Sequence, residues 1–283
     1  MSTPGATLTA LAGRELPGRT RALDLDLDQV VAEAAPALAG APAETVLDWT
    51  LATFARAEVA LATSFQLDGM VVLDMALRLE PGLRVITVDT GRLPEATHEL
   101  IELVRGRYGV KVEVVLPDAG EVAGMVTAHG PNLFYESPDL RLRCCDVRKV
   151  RPMRRSLQGM SAWVTGLRRT QGGERAGLQE VEIDPDSGGL VKVNPLARWT
   201  RDQVLAYVAA HHVPQSSLYA QGYTSIGCAP CTRAVEPGED ERAGRWWWES
   251  GAKECGIHYT LEVSGDGSTR LKAENDKQGG RNV

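Results

Sequence analysis

Apolar and polar positions change period along this chain, and the changes mark out alternating strands and helices. Leu27, Val30, Val31 and Ala34 fall at helical spacing, and Ala-rich sequence continues to Leu51. Residues 1–50 therefore read as a helical N-terminal segment, although Leu23, Leu25 and Leu27 alternate with aspartates as a short strand would. Residues 58–63 (Glu-Val-Ala-Leu-Ala-Thr) read as a buried strand closed by a turn at Ser64-Phe-Gln-Leu-Asp-Gly69. A helix follows over 70–79, with Val71, Val72, Met75 and Leu79 inward. Residues 84–89 make a second strand, Pro94 opens a helix to about Arg107, and 111–116 make a third strand. Asp118 caps a short helix. Strands and helices in alternation imply a parallel sheet with crossover helices.

Residues 130–139 are rich in Pro, Asn and Asp, after which Cys144-Cys145 opens a helix over about 146–157. Residues 162–166 read as another strand, and 190–193 as a short strand at the sheet's edge. Thr200-Arg-Asp-Gln has the shape of a capping box for a helix through Ala210. Beyond Gly222 the periodicity breaks down. Trp246, Trp247 and Trp248 look suited to packing the C-terminal segment, and the polar, Gly-rich residues 264–283 are expected to be disordered. The expected organisation is a helical segment at 1–50, an α/β domain at 51–245 and a C-terminal segment at 246–283.

Composition narrows the class. Hydrophobic residues at 43% and charged residues at 24% suit a soluble globular protein. The longest apolar stretches fall far short of a membrane span, and residues 1–6 show no export signal, so a cytoplasmic location with reduced thiols is expected. A net charge of −6 argues against a general nucleic-acid binder. Yet Arg141, Arg143, Arg148, Lys149, Arg151, Arg154 and Arg155 crowd around the cysteine pair, with Asp146 the one acid among them. That concentration of positive charge in an acidic protein points to a bound anion.

The five cysteines sharpen this picture. Cys144 and Cys145 are adjacent, Cys228 and Cys231 form Cys-Ala-Pro-Cys, and Cys255 stands alone in Glu-Cys-Gly-Ile-His. An odd count in a chain of 283 residues argues against a secreted disulfide scaffold. Two close pairs can surround one metal centre, leaving Cys255 as a nucleophile. Zinc and iron–sulfur clusters both accept four thiolates. Neighbouring side chains diverge by about 100° on a helix, so adjacent sulfurs reach two separate points. A polynuclear cluster offers such points and a single ion does not, which favours the cluster.

Ligands of an open parallel sheet bind beyond the carboxyl ends of its strands. Three loops stand there: one with Ser64, Phe65 and Gln66, one with Thr90, Gly91, Arg92 and Leu93, and one with Gly166 and Arg168. Backbone N–H groups at a helix start and arginine forks both suit phosphate or sulfate oxygens, so a nucleotide-like anion is the favoured ligand.

With those residues in hand, the chain resembles the assimilatory sulfonucleotide reductases, specifically the iron–sulfur adenylyl-sulfate (APS) reductases. The matching stretches are Val88-Asp-Thr-Gly-Arg-Leu, Cys144-Cys145 with Arg148-Lys-Val, Trp163-Val-Thr-Gly-Leu-Arg-Arg, Val193-Asn-Pro-Leu, Gly222-Tyr-Thr-Ser-Ile-Gly-Cys-Ala-Pro-Cys-Thr, Arg242-Ala-Gly-Arg-Trp and Glu254-Cys-Gly-Ile-His. The resemblance implies an adenine nucleotide alpha hydrolase-like α/β fold, an open and mostly parallel sheet with a flexible C-terminal tail. It also implies a [4Fe–4S] cluster on Cys144, Cys145, Cys228 and Cys231, a homo-oligomer, and thioredoxin as electron donor in sulfate assimilation. Cys255 would be the nucleophile, and Lys149, Arg242, Arg245 and His258 would contact the phosphosulfate. One departure stands out: loops of the wider family often end in Glu-Asp, where this chain has Asp68-Gly69.

Other readings explain less. A PAPS reductase would act on the 3′-phosphorylated nucleotide, but members of that branch generally lack the four ligand cysteines. An ATP-dependent thiolating or amide-forming enzyme would show a Ser-Gly-Gly-x-Asp-Ser loop, absent at 64–69. An iron–sulfur redox sensor accounts for four cysteines but not for Cys255 or the anion loops.

Overall fold

Val59–Ala62 forms β1, whose Val59, Ala60 and Leu61 are fully buried, as a strand covered on both faces requires. In this computed structural model, residues 25–172, 175–250, 261–263 and 269–271 are described. β1 pairs in parallel with β2 (Arg84–Val88) on one side and β4 (Ala162–Val164) on the other. β2 continues to β3 (Val112–Val115), and β4 to β6 (Leu190–Val193), again in parallel. β5 (Val181–Asp184) closes that side antiparallel. The order is β3-β2-β1-β4-β6-β5, so the winding reverses between β1 and β4 and opens a crevice there.

Residues 190–193 were expected at the sheet's edge, but β6 lies inside it with all four positions buried. The edge is β5, which the sequence pattern hides. Its Val-Glu-Ile-Asp carries two acids that only the fold satisfies. Glu182 meets Lys192 at 3.4 Å, and Asp184 accepts the Trp163 indole N–H at 3.1 Å.

Helices α1 (Leu27–Leu38) and α2 (Ala43–Thr53) precede the sheet. Asp26 caps α1 by accepting the Gln29 N–H. Ala34, Leu38, Ala43, Val46 and Leu47 share one core with β1 and the next helix, so this segment is continuous with the sheet. That next helix, α3 (Leu67–Leu79), is buried from Leu67 to Leu77 on every side. Leu79, expected inward, is 39% exposed because the last turn clears the core. Asp74 survives inside α3 because Tyr108 and Tyr207 donate to it at 2.8 Å each and Arg78 pairs with it at 2.9 Å.

α4 (Glu95–Tyr108) starts after Pro94 and stops at Gly109 in the left-handed region, φ 62°. Asp118 caps α5 (Ala119–His129) as expected. Thr200 and Gln203 close a reciprocal capping box on α8 (Arg201–His211). Between α5 and α8 lies the cysteine region. There the expectation of a helix opening after Cys145 is corrected: α6 (Pro138–Cys145) begins earlier, with Ser137 as its cap and Pro138 in its first turn. Proline marks a helix start here, where its missing N–H costs nothing. A π turn over Asp146–Val150 then leads into α7 (Arg151–Ser156).

β7 (Leu261–Val263) and β8 (Thr269–Leu271) pair antiparallel, and β8 lies against α6. Residues 269–271 are therefore a strand within a stretch expected to be disordered. The expectations for residues 1–24, and for Cys255 and His258, lie outside the described residues. Among the described residues, no helix is long and apolar enough to cross a membrane.

Candidate functional site

The loop after β1 is shaped by backbone geometry first. Phe65 holds φ 57°, a left-handed conformation rare for a bulky residue, and its side chain is buried. Its N–H donates to Thr63 Oγ1 at 3.1 Å, and the Leu67 N–H donates to Tyr219 Oη at 3.1 Å. Gln66 Oε1 accepts the Ile226 N–H at 2.9 Å and the Ser225 hydroxyl at 3.2 Å, which ties this loop to the chain just before Cys228. The Asp68-Gly69 departure also finds its reason. A Cβ at Gly69 would fall 2.5 Å from Thr63 Oγ1, and one at Gly166 would fall 2.6 Å from the Gly69 nitrogen. Two loops meet backbone to backbone at the switch point.

A cleft opens above this contact. Of the residues named from sequence, Ser64, Gln66, Leu93, Lys149, Gly166, Arg242 and Arg245 line it. Phe65 and Arg168 are not among its lining residues, and Thr90 and Arg92 turn elsewhere. Gly91, at φ 69°, lets the loop turn while its N–H donates to Asp89 Oδ1 at 2.8 Å.

Arg168 is 1% exposed and fully answered. Its guanidinium pairs with Asp68 and, at 3.1 Å, with Glu241, and it donates to Thr170 Oγ1 at 2.5 Å. Glu241 also takes Arg201 at 2.7 Å. Arg245 is buried too, at 4% exposed, but its Nη1 has only long contacts of 3.4 Å to Ser225 Oγ and the Ile226 carbonyl. Its Nε has no hydrogen-bond partner among the described residues. The sequence reading missed Arg175, a buried cleft residue that donates to Gln171 Oε1, and Glu241, which lines the cleft between arginines. Arg175 lay in the arginine-bearing stretch after β4 and could have been found there; Glu241 gave no local signal.

Beside the cleft lies a smaller cavity. Cys144, Cys145, Cys228 and Cys231 line it together, with Thr90, Arg92, Arg141, Arg148 and Lys149 around them. The last turn of α6 supplies the first pair. The second sits on a tight turn closed by the Cys231 N–H on the Cys228 carbonyl at 2.9 Å. Thr90 Oγ1 is 3.2 Å from Cys228 Sγ, and the Ala229 N–H donates to the Arg92 carbonyl at 2.8 Å, so the loop after β2 braces the cysteines. Arg92 itself binds Asn132 and Phe134. Lys149, on the rare π turn, borders both cavities.

None of these four cysteines is in a disulfide. Burial pushes the Cys144 thiol up, against the pull of Arg148, Lys149 and Arg92. Burial likewise pushes Cys231 up to about 12, aided by Cys228 and opposed by Arg245 and Lys149. A metal centre held here would have to displace the protons that burial favours on Cys144 and Cys231. Among the described residues, no three Cys, His, Asp or Glu side chains are grouped closely enough to hold a single ion. The donor set is nonetheless all sulfur, with a wall of Met125, Leu133, Phe134, Val147 and Trp246, and it fits a thiolate-held group.

Comparison with known proteins agrees with this geometry. A family model described as the phosphoadenosine phosphosulfate reductase domain matches residues 58–234, which contain all three loops and the four cysteines. The adenosine 5'-phosphosulfate reductase of Allochromatium vinosum is 48% identical over 201 residues, covering 71% of this chain and 78% of that protein. The protein of the same name from Burkholderia cepacia is 48% identical over 204 residues, covering 72% of this chain and 81% of its own. Among solved structures, the phosphate complex of Candida auris phosphoadenylyl-sulfate (PAPS) reductase superposes with a TM-score of 0.60 at 28% identity. It covers 74% of this chain and 96% of its own, and the shared fold is of the adenine nucleotide alpha hydrolase type.

Proposed function

The chain belongs to the phosphoadenosine phosphosulfate reductase domain family, and on that footing we propose that it reduces adenosine 5'-phosphosulfate to sulfite and AMP. The observation that carries this reading is the cleft itself: among the described residues its Arg245 has no carboxylate partner, and it shares Lys149 with a cavity of four cysteines.

Cys255 acts as the nucleophile. Its thiolate attacks the sulfur of the sulfate group, forming an S–S bond while the S–O bond to the phosphate breaks. AMP leaves with that electron pair, and the chain carries an S-sulfocysteine. A thioredoxin thiolate then attacks Cys255 Sγ, sulfite departs with the S–S electron pair, and the second thioredoxin thiolate attacks the mixed disulfide, closing thioredoxin's own disulfide and releasing the Cys255 thiolate. Negative charge gathers on the departing oxygens, so prepositioned cations are the main help the protein supplies. Lys149, Arg242 and Arg245 fill that role with His258, while Ser64, Gln66, Leu93 and Gly166 shape the nucleotide's seat. Phe65, Gly91 and Arg168 hold the loops, and Thr90 and Arg92 support the cysteines. Cys144, Cys145, Cys228 and Cys231 would hold a [4Fe–4S] cluster, whose chemistry there is electrostatic tuning of the anion site, since two thioredoxin thiols already supply both electrons. A cytoplasmic homo-oligomer served by reduced thioredoxin completes the reading.

The test is to incubate pure protein and reduced thioredoxin with APS or PAPS and measure sulfite. Sulfite from APS, with a higher kcat/KM than from PAPS, is expected. Release from PAPS alone would move the chain to the other branch, and release from neither would overturn the proposal.

A further inference from the structure

We infer that Gly227 and Trp246 form a slot that holds the Arg245 guanidinium in the cleft, making both of them positioning residues for the anion. The inference rests on the reading above for the identity of that anion. Arg245 Cζ lies 4.6 Å from the centroid of the Trp246 ring, in cation–π contact. The guanidinium also presses against the bare Cα of Gly227. A Cβ there would fall 2.5 Å from Arg245 Cζ and 3.0 Å from Nη1, so no side chain fits at 227 while Arg245 keeps its place.

Trp246 is itself fixed. It is 1% exposed, and Arg141 lies 4.6 Å from its ring centroid. The Arg141 charge is answered by Glu249, with both carboxylate oxygens at 3.0 Å from Nε. The backbone N–H of Trp246 donates to the Cys231 carbonyl at 3.3 Å, and the Thr232 backbone forms an antiparallel bridge with that of Arg245. Trp246 holds φ 41°, a conformation that an aromatic residue keeps only where its surroundings over-determine it. Arg245, by contrast, has no carboxylate within ion-pair distance among the described residues. It is held by shape and by an indole face, and its charge stays available to a ligand. Because Gly227 precedes Cys228 and Trp246 packs with the cysteines, the slot also fixes Arg245 relative to the cysteine cavity.

The test uses full-length protein purified without oxygen, as wild type, Gly227→Ala, Trp246→Leu and Trp246→Phe. Affinities for APS and for AMP, which lacks the sulfate, are measured by calorimetry with Cys255→Ser added to each protein so that APS is bound and not consumed, together with iron per chain. Gly227→Ala and Trp246→Leu should weaken APS binding by about tenfold, the loss of roughly one charge-assisted hydrogen bond. AMP binding should fall less, and Trp246→Phe should restore APS affinity. A variant merely damaged in its fold would weaken both nucleotides by the same factor, and that result would overturn the slot. If Gly227→Ala loses iron, the Trp246 pair decides: a Leu variant with wild-type APS affinity refutes the slot, and a Phe rescue of a Leu loss upholds it. A wild type that neither binds nor turns over APS removes the functional reading and this inference with it. A wild type that reduces APS while every variant binds like it removes the slot alone.

Discussion

Arg168, packed behind one wall of the cleft, and Arg245, which lines it, are both buried guanidiniums, and their surroundings are opposite. Arg168 is met by Asp68 and Glu241, with no charge left over for a ligand. Arg245 is met by a ring, a glycine and two neutral oxygens at 3.4 Å. A desolvated cation without a counter-charge is costly to stability, while a matched one is costly to disturb. The pair teaches that an arginine's counter-ions, more than its burial or its place in a motif, separate a binding residue from a brace. The Gly166-Leu-Arg-Arg loop reads from sequence as an anion loop, and its first guanidinium spends its charge on holding the β1 and β4 loops together.

The largest effect should come from removing the nucleophile that these cations serve. Cys255→Ser should abolish sulfite release while leaving cluster iron and AMP binding in place, because a serine hydroxyl is scarcely ionised near neutral pH. Residual sulfite from this variant would unseat Cys255. Next, Arg245→Gln should lower kcat/KM for APS by about 10²–10³, the usual loss of a charge-stabilising donor. Its melting temperature should hold or rise, since an unanswered charge leaves the interior. A lowered melting temperature would mean that Arg245 has a structural counter-ion after all.

Arg168→Met should invert that pattern. It strands Asp68 inside the fold, leaves Glu241 with Arg201 alone, and should cost about 3–5 kcal/mol of stability, read by denaturant unfolding. Unchanged stability would erase the contrast between the two arginines. The smallest effect should be Tyr219→Phe, which leaves the Leu67 N–H without its acceptor at the start of α3. A loss of about 1 kcal/mol is expected, and none at all would show that the loop finds another partner there.

Most of the sheet was legible because local pattern writes it. The apolar runs at 59–62 and 84–88, the caps at Asp118 and Thr200, and the Pro94 start all act within a few residues. The start of α6 was not, because proline at a helix's first turn and proline in a loop look alike in sequence. β5 was missed because the charges on it are satisfied from β6 and β4. At the site, the sequence showed which loops meet but not which way their side chains turn. Thr90 and Arg92 face the cysteines, and Arg168 turns to carboxylates 100 and 73 positions away, Asp68 and Glu241. The Gly227–Arg245 contact is likewise set by two segments that only the fold brings together.

The most direct measurement is a single turnover without thioredoxin. Wild-type protein is mixed with APS, quenched in acid, digested and weighed peptide by peptide. The account requires the mass of one sulfonate on the peptide carrying Cys255, with AMP released in equal amount. AMP release with that mass on Cys144, Cys145, Cys228 or Cys231, or on no cysteine, would contradict it.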